Sequence, residues 1–213
     1  MAVNEVIIKE LLEEIKPATL VAATKYAKID DLYDLERLGI NIFGENQVQA
    51  LLEKYENYKG NSHFHMIGTL QTNKVKYIID KVDMIHSVAN YRLIDEIDKQ
   101  AKKKELIMDI LIQVNIANEE TKHGFLKEEM DEVLKYLENK ENVNVRGLMI
   151  MAPHINAEDT EKYFKEAKVL LEELNKKNPS LLLTELSMGM SNDYQYALKH
   201  NATLIRIGSL LFK

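Results

Sequence analysis

Short apolar runs alternate with stretches of helical periodicity from one end of the chain to the other. The runs are LVAAT (20–24), NIFGEN (41–46), HFHMIG (63–68), DMIHSV (83–88), DILIQVNI (109–116), VRGLMIM (145–151), LTELSMG (183–189) and TLIRIG (203–208). Several are apolar at consecutive positions rather than alternating ones, the pattern of strands covered on both faces. Between them, residues 156–174 place Phe164, Ala167, Leu170, Leu171 and Leu174 on one helical face, with Asn156 as N-cap. Residues 90–101 do the same with Leu93, Ile94, Ile97 and Ala101, and Gly39, Gly60 and Asn201 stand where helices should stop. One further helix, over about residues 4–15, precedes the first strand and ends before Pro17.

A helix followed by eight β/α steps predicts a (β/α)₈ TIM barrel with an extra N-terminal helix, a single α/β domain over residues 1–213 with no internal linker. The runner-up, an open doubly wound sheet, calls for a Gly-rich turn after the first strand, and LVAATKYAK (20–28) contains no Gly.

In such a barrel the C-terminal ends of the strands build the active face. The unusual residues of this chain fall there. Lys25 closes the first strand, Glu45 and Asn46 the second, and Gly68 follows the third. His86 and Ser87 end the fourth, Asn115 the fifth, and Met149 and Met151 the sixth. SMGMS (187–191), which holds Ser187, Gly189 and Ser191, follows the seventh strand, with Ser191 expected to cap the next helix. Arg206, Gly208 and Ser209 end the eighth. Gly and hydroxyl residues in the loops after strands seven and eight suit an anionic oxygen cluster. Arg206 sits in a strand that should be buried, so its guanidinium needs a carboxylate partner or a ligand acceptor. Lys25, if it faces inward, shares its side with Val21 and the small Ala23, leaving room for a flat ring that a lysine could hold as a Schiff base. Lys28 and Lys122 sit in loops where a solvated lysine needs no special role. His63, His65 and His86 lack the helical spacing and carboxylate partner of a metal site, and are expected to be packed or hydrogen-bonded.

Composition narrows the field. Apolar residues make up 46% of 213, there is no Cys, and the net charge is −6 with Lys and Arg dispersed. Thiolate chemistry and disulfides are excluded, and no basic footprint for nucleic acid or an anionic membrane exists. The N-terminal segment carries acidic residues within its apolar spacing, unlike a signal peptide, and no apolar stretch reaches spanning length. A cytoplasmic monomer is the expectation.

The residues also carry a resemblance. ATK at 23–25, FGEN at 43–46, H-x-IG-x-LQ-x-NK at 65–74, HS at 86–87, QVNI at 113–116, K-x-G at 122–124, RGLM at 146–149, LSMGMSND at 186–193 and RIGS at 206–209 together resemble the pyridoxal 5′-phosphate homeostasis family across essentially the whole chain. The resemblance implies a barrel like the N-terminal domain of alanine racemases, with pyridoxal 5′-phosphate as a Schiff base on Lys25. Ser191 and the amides of Gly208 and Ser209 would hold the phosphate, and Arg206 would face the pyridine nitrogen. Asn46, Ser87, Asn115, Met149, Ser187 and Gly189 complete the expected cofactor-binding set, with no metal. It implies a cofactor carrier in vitamin B6 homeostasis, in transient contact with apo-enzymes that use the cofactor, rather than an enzyme. Where the family usually has Thr after RIG, this chain has Ser209, which keeps the hydroxyl. The alternatives are an amino-acid racemase or other pyridoxal phosphate enzyme on the same site, and a barrel enzyme using Lys25 on a phosphorylated metabolite.

Overall fold

A computed structural model describes residues 3–119 and 122–212. Eight parallel strands close on themselves in chain order, each neighbour pairing with the next and the last with the first. They are β1 (Thr19–Ala23), β2 (Ile42–Glu45), β3 (His63–Met66), β4 (Met84–Val88), β5 (Met108–Val114), β6 (Val143–Ile150), β7 (Glu185–Met190) and β8 (Leu204–Ile207). The helices are α1 (Glu5–Glu14), α2 (Ile29–Arg37), α3 (Val48–Asn57), α4 (Val75–Ile78), α5 (Tyr91–Lys103), α6 (Met130–Leu137), α7 (Ala157–Lys177) and α8 (Tyr194–Lys199). The expected TIM barrel with a leading helix is what the chain forms.

Two apolar layers explain the consecutive hydrophobic positions of the strands. Leu20 and Ala22, Ile110 and Ile112, Leu148 and Ile150, and Ile205 and Ile207 point outward to the helices. There they meet Leu32 and Leu35 of α2, Leu93, Ile94 and Ile97 of α5, and Phe164 and Ala167 of α7. The alternate positions fill the barrel: Val21, Ile67, Met84, Leu111, Met149 and Leu204, with Ala23 and Ile42 beside them. Val21 and Ile67 crowd Gly44 so closely that a Cβ there would lie 2.8 Å from each, which is why β2 carries no side chain at that level.

The helix boundaries follow local chemistry. Asn90 caps α5 by accepting the Leu93 amide proton at 2.9 Å. Asn156 holds the N-cap position of α7 without a side-chain capping bond. Gly39, at φ +90°, turns the chain after α2, and Asn201 does the same after α8 at φ +61°. Gly60 lies past the end of α3 without a positive φ. The expected cap at Ser191 is displaced: Asp193 is the N-cap residue of α8, and its carboxylate accepts the Met190 amide proton at 2.7 Å. An aspartate two residues on reaches back across the turn, which the serine is too early in the chain to do.

β4 and β7 each insert one extra residue against their neighbour, between Ile85 and Val88 and between Ser187 and Met190. Such bulges re-aim side chains. Both fall at the C-terminal ends of the strands, where His86 and Ser187 enter the barrel.

Among the described residues, no helix is long and apolar enough to cross a membrane.

Candidate functional site

A cavity of about 430 Å³ opens at the C-terminal face, over β6, β7 and β8. Ser191 and Ser209, the hydroxyls expected at an anionic group, both line it, along with Met190, Asp193, Lys122 and the 151–155 loop. Gly189, at φ +89°, sets the turn that presents Ser191; a Cβ there would fall 2.7 Å from the Ala197 Cβ and 2.9 Å from the Tyr194 Cα. The Met190 amide is already taken by Asp193. Burial pushes the Asp193 carboxyl up, opposed by that bond and by the Arg206 charge.

Arg206, in β8, is 5% exposed. Its guanidinium donates to the Ser187 hydroxyl at 2.6 Å and to the Ile150 carbonyl at 2.9 Å. Both acceptors are neutral protein groups, from β7 and β6, and so neither the carboxylate nor the ligand atom that the sequence offered. Burial pulls the guanidinium down to about 10, and Asp193 opposes the fall. Arg206 remains a cation at neutral pH.

Lys25 lies elsewhere. It is exposed in the turn after β1, with its ammonium 4.8 Å over the Tyr26 ring, in a separate hollow of about 160 Å³ with Lys28 and Lys54. β1 ends at Ala23, so the alternation that would aim Lys25 inward beside Val21 and Ala23 does not extend into the turn. Val21 and Ala23 do face the barrel interior. Gly208 packs against the end of β1: a Cβ on it would sit 3.2 Å from the Ala23 carbonyl oxygen and 3.3 Å from the Ala23 Cβ.

The remaining expected residues divide by what already engages them. Asn46 is exposed just past β2. Ser87 is buried and donates to the Gly68 carbonyl at 2.6 Å. Asn115 holds its own loop, donating to the Glu119 carbonyl at 2.8 Å and accepting the Glu119 amide proton at 3.2 Å. Met149 is 1% exposed in the interior layer, below the mouth. Lys122, dismissed by sequence as a loop lysine, lines the cavity and donates to the Ala152 carbonyl at 3.1 Å.

The histidines are hydrogen-bonded. His65 Nδ1 lies 2.9 Å from His86 Nε2, and His86 Nδ1 lies 3.0 Å from Ser187 Oγ. His63 sits at the other end of β3, 3.1 Å from Asp83.

Sequence reasoning did not single out Thr24, Lys54 or Asp193. Lys54 on α3 reaches Glu45 at 2.5 Å and also donates to the Thr24 carbonyl, while the Thr24 hydroxyl donates to Glu45 at 2.5 Å. This buried cluster clamps the residue before Lys25. Its signal was present: Lys54 continues the stripe Val48, Leu51 at helical spacing, a charge on an apolar face.

Comparison with known proteins places these features in a family. Residues 8–213 match the family described as alanine racemase, N-terminal domain. A pyridoxal phosphate homeostasis protein of Aquifex aeolicus is 42% identical over 197 residues, covering 92% of this chain and 86% of that one. The chain belongs to the pyridoxal phosphate homeostasis family. A second member, from Synechocystis, is 36% identical over 211 residues, covering 97% and 96% of the two chains. The solved structure of PipY from Synechococcus elongatus, with PLP bound, superposes with a TM-score of 0.91 at 30% identity, covering 98% and 99%. The alanine racemase of Clostridium difficile shares the fold alone, with a TM-score of 0.76 at 11% identity and 56% of its chain covered.

Proposed function

We propose that this protein holds pyridoxal 5′-phosphate at the C-terminal mouth of its barrel and carries it in vitamin B6 homeostasis, with the whole chain acting as one domain. The observation that carries the reading is the cavity of about 430 Å³ lined by Ser191 and Ser209, past the end of the strand that carries the buried Arg206 cation, in a chain 42% identical to a named homeostasis protein. The donor set fits the group. Hydroxyls and a Gly turn suit a phosphate, and Arg206 suits a ring nitrogen acceptor. When bound, the cofactor would supply an aldehyde with which a lysine amine can react. Lys25, exposed in the turn after β1, is that lysine, and the Thr24–Glu45–Lys54 cluster holds the backbone behind it.

The same residues argue for carriage over turnover. A guanidinium that stays charged at neutral pH donates to the ring nitrogen and does not protonate it, so the ring is a weak electron sink. A site open to solvent at Lys25 lets the cofactor exchange and admits water that carbanion chemistry must exclude. The protein works as a cytoplasmic monomer that meets apo-enzymes transiently. Tyr26, beneath the Lys25 ammonium, is the observation that favours the rival reading of a racemase, since it places a second titratable group beside the lysine.

The test is borohydride reduction of the purified, cofactor-loaded protein followed by peptide mapping. The pyridoxyl group is expected on Lys25. Finding it on Lys28 or Lys122 would move the site.

A further inference from the structure

Arg206 does not stand alone in the barrel. A chain of hydrogen bonds crosses the interior from β3 to β8, through His65, His86, Ser187 and Arg206, at 2.9, 3.0 and 2.6 Å. His86 and Ser187 have no exposed surface, and His65 and Arg206 expose 5% each. The two imidazoles stand 5.0 Å apart, tilted by 54°.

The protons in this chain can be placed by elimination. Arg206 only donates, so Ser187 Oγ accepts from it. Ser187 has one proton of its own, and its other neighbour is His86 Nδ1. If His86 Nδ1 carried a proton, the Ser187 proton would be left in the interior with no acceptor among the described residues, which buried groups avoid. His86 Nδ1 is therefore the acceptor. The neutral ring then carries its proton on Nε2 and donates it to His65 Nδ1, whose own proton sits on Nε2. Every link has one donor and one acceptor, and the sense runs one way. Both rings being neutral agrees with their surroundings. Burial lowers His65 to about 4, against a weaker opposing pull from Asp83, while His63 adds to the fall. Burial also lowers His86 far below its usual value, helped by His65 and by the Arg206 charge. The other charge facing Arg206 is Asp193.

We infer that His86, backed by His65, is a positioning residue for Arg206. By taking the Ser187 proton it turns a serine lone pair toward the guanidinium. With one N–H fixed on Ser187 and another on the Ile150 carbonyl, the direction of the remaining N–H groups is set. This rests on the reading that Arg206 meets the cofactor's ring nitrogen. It adds two histidines, lying one and two bonds behind Ser187, whose work is to aim it.

The test has two arms. Imidazole ¹⁵N–¹H NMR of the full-length protein, assigned with single-histidine variants, should find both rings as Nε2–H tautomers between pH 5.5 and 8. A proton on His86 Nδ1, or an imidazolium at either ring in that range, would overturn the relay. In the second arm, pyridoxal 5′-phosphate binding and its visible absorption band are followed in variants checked for folding by circular dichroism. H86F removes the acceptor and should weaken retention about tenfold and shift the band. H86N, whose Oδ1 takes the place of Nδ1, should restore most of both. In an S187A background, H86F should cost nothing further. Equal losses in H86F and H86N, or additive losses with S187A, would refute positioning through Ser187. If H86F fails to fold, S187A combined with H86N decides by the same additivity. If the parent protein takes up no cofactor, the proposed function falls, and the NMR tautomers alone then uphold or overturn the relay.

Discussion

Lys54 Nζ lies 2.5 Å from Glu45 Oε1, and neither side chain exposes more than 7% of its surface. The ion pair is buried between α3 and the ends of β1 and β2, with the Thr24 hydroxyl and carbonyl completing it. Among the described residues Glu45 Oε2 has no hydrogen-bond partner, so the pair is held together by one oxygen.

Removing one charge strands the other. Glu45→Gln should lower unfolding stability by about 3–5 kcal/mol, whereas the double change Glu45→Leu with Lys54→Met should lie much closer to the parent. Urea unfolding at pH 7 measures both. A parent-like midpoint for Glu45→Gln would mean that water reaches the ammonium.

Acid should weaken the fold through the histidines. The folded state holds His65 neutral down to about pH 4, while the unfolded chain takes up that proton near 6.5. Between those values the unfolded state binds more protons, so stability is full above about pH 6.5 and falls as pH drops towards 4. His65 alone should account for a loss of about 3 kcal/mol across that window. Unfolding midpoints at pH 7, 5.5 and 4.5, compared with those of His65→Leu, isolate the contribution; the variant should show a shallower decline.

Cofactor retention should depend on the mouth of the barrel in a graded way. Ser191→Ala removes one hydroxyl and should weaken binding by about 1.5–3 kcal/mol, the worth of a hydrogen bond to a charged oxygen. Gly208→Val should abolish binding, because even a Cβ there meets Ala23 at 3.2–3.3 Å and the branched carbons then point into the mouth. Equilibrium dialysis with absorbance detection reports both, and undiminished retention in Gly208→Val would place the site elsewhere.

Turnover should be absent or slight. Incubation with alanine or serine in deuterated water, followed by mass spectrometry of the α-carbon, should show no exchange at enzymatic rates. Sustained exchange abolished by Lys25→Ala would establish the racemase reading and bring Tyr26 forward as its second group.

The order of elements was legible because each strand is buried on both faces and each helix on one. Consecutive apolar positions in LVAAT and VRGLMIM therefore marked strands, and the 3.6-residue spacing of Phe164, Ala167, Leu171 and Leu174 marked α7. That the strand ends carrying the unusual polar residues lie on one face also followed, since a parallel barrel puts every strand end there. Chemistry local in sequence is written in the sequence. The partnerships were not. His86 meets Ser187 across 101 residues, Lys54 meets Glu45 from the next helix, and Arg206 finds a serine and a carbonyl rather than the carboxylate or ligand acceptor that its charge suggested. Whether a buried charge is paired, and which nitrogen of a histidine accepts, depends on which side chains the closed barrel brings within 3 Å. Bulges of one residue in β4 and β7 control that, and no periodicity along the chain records them.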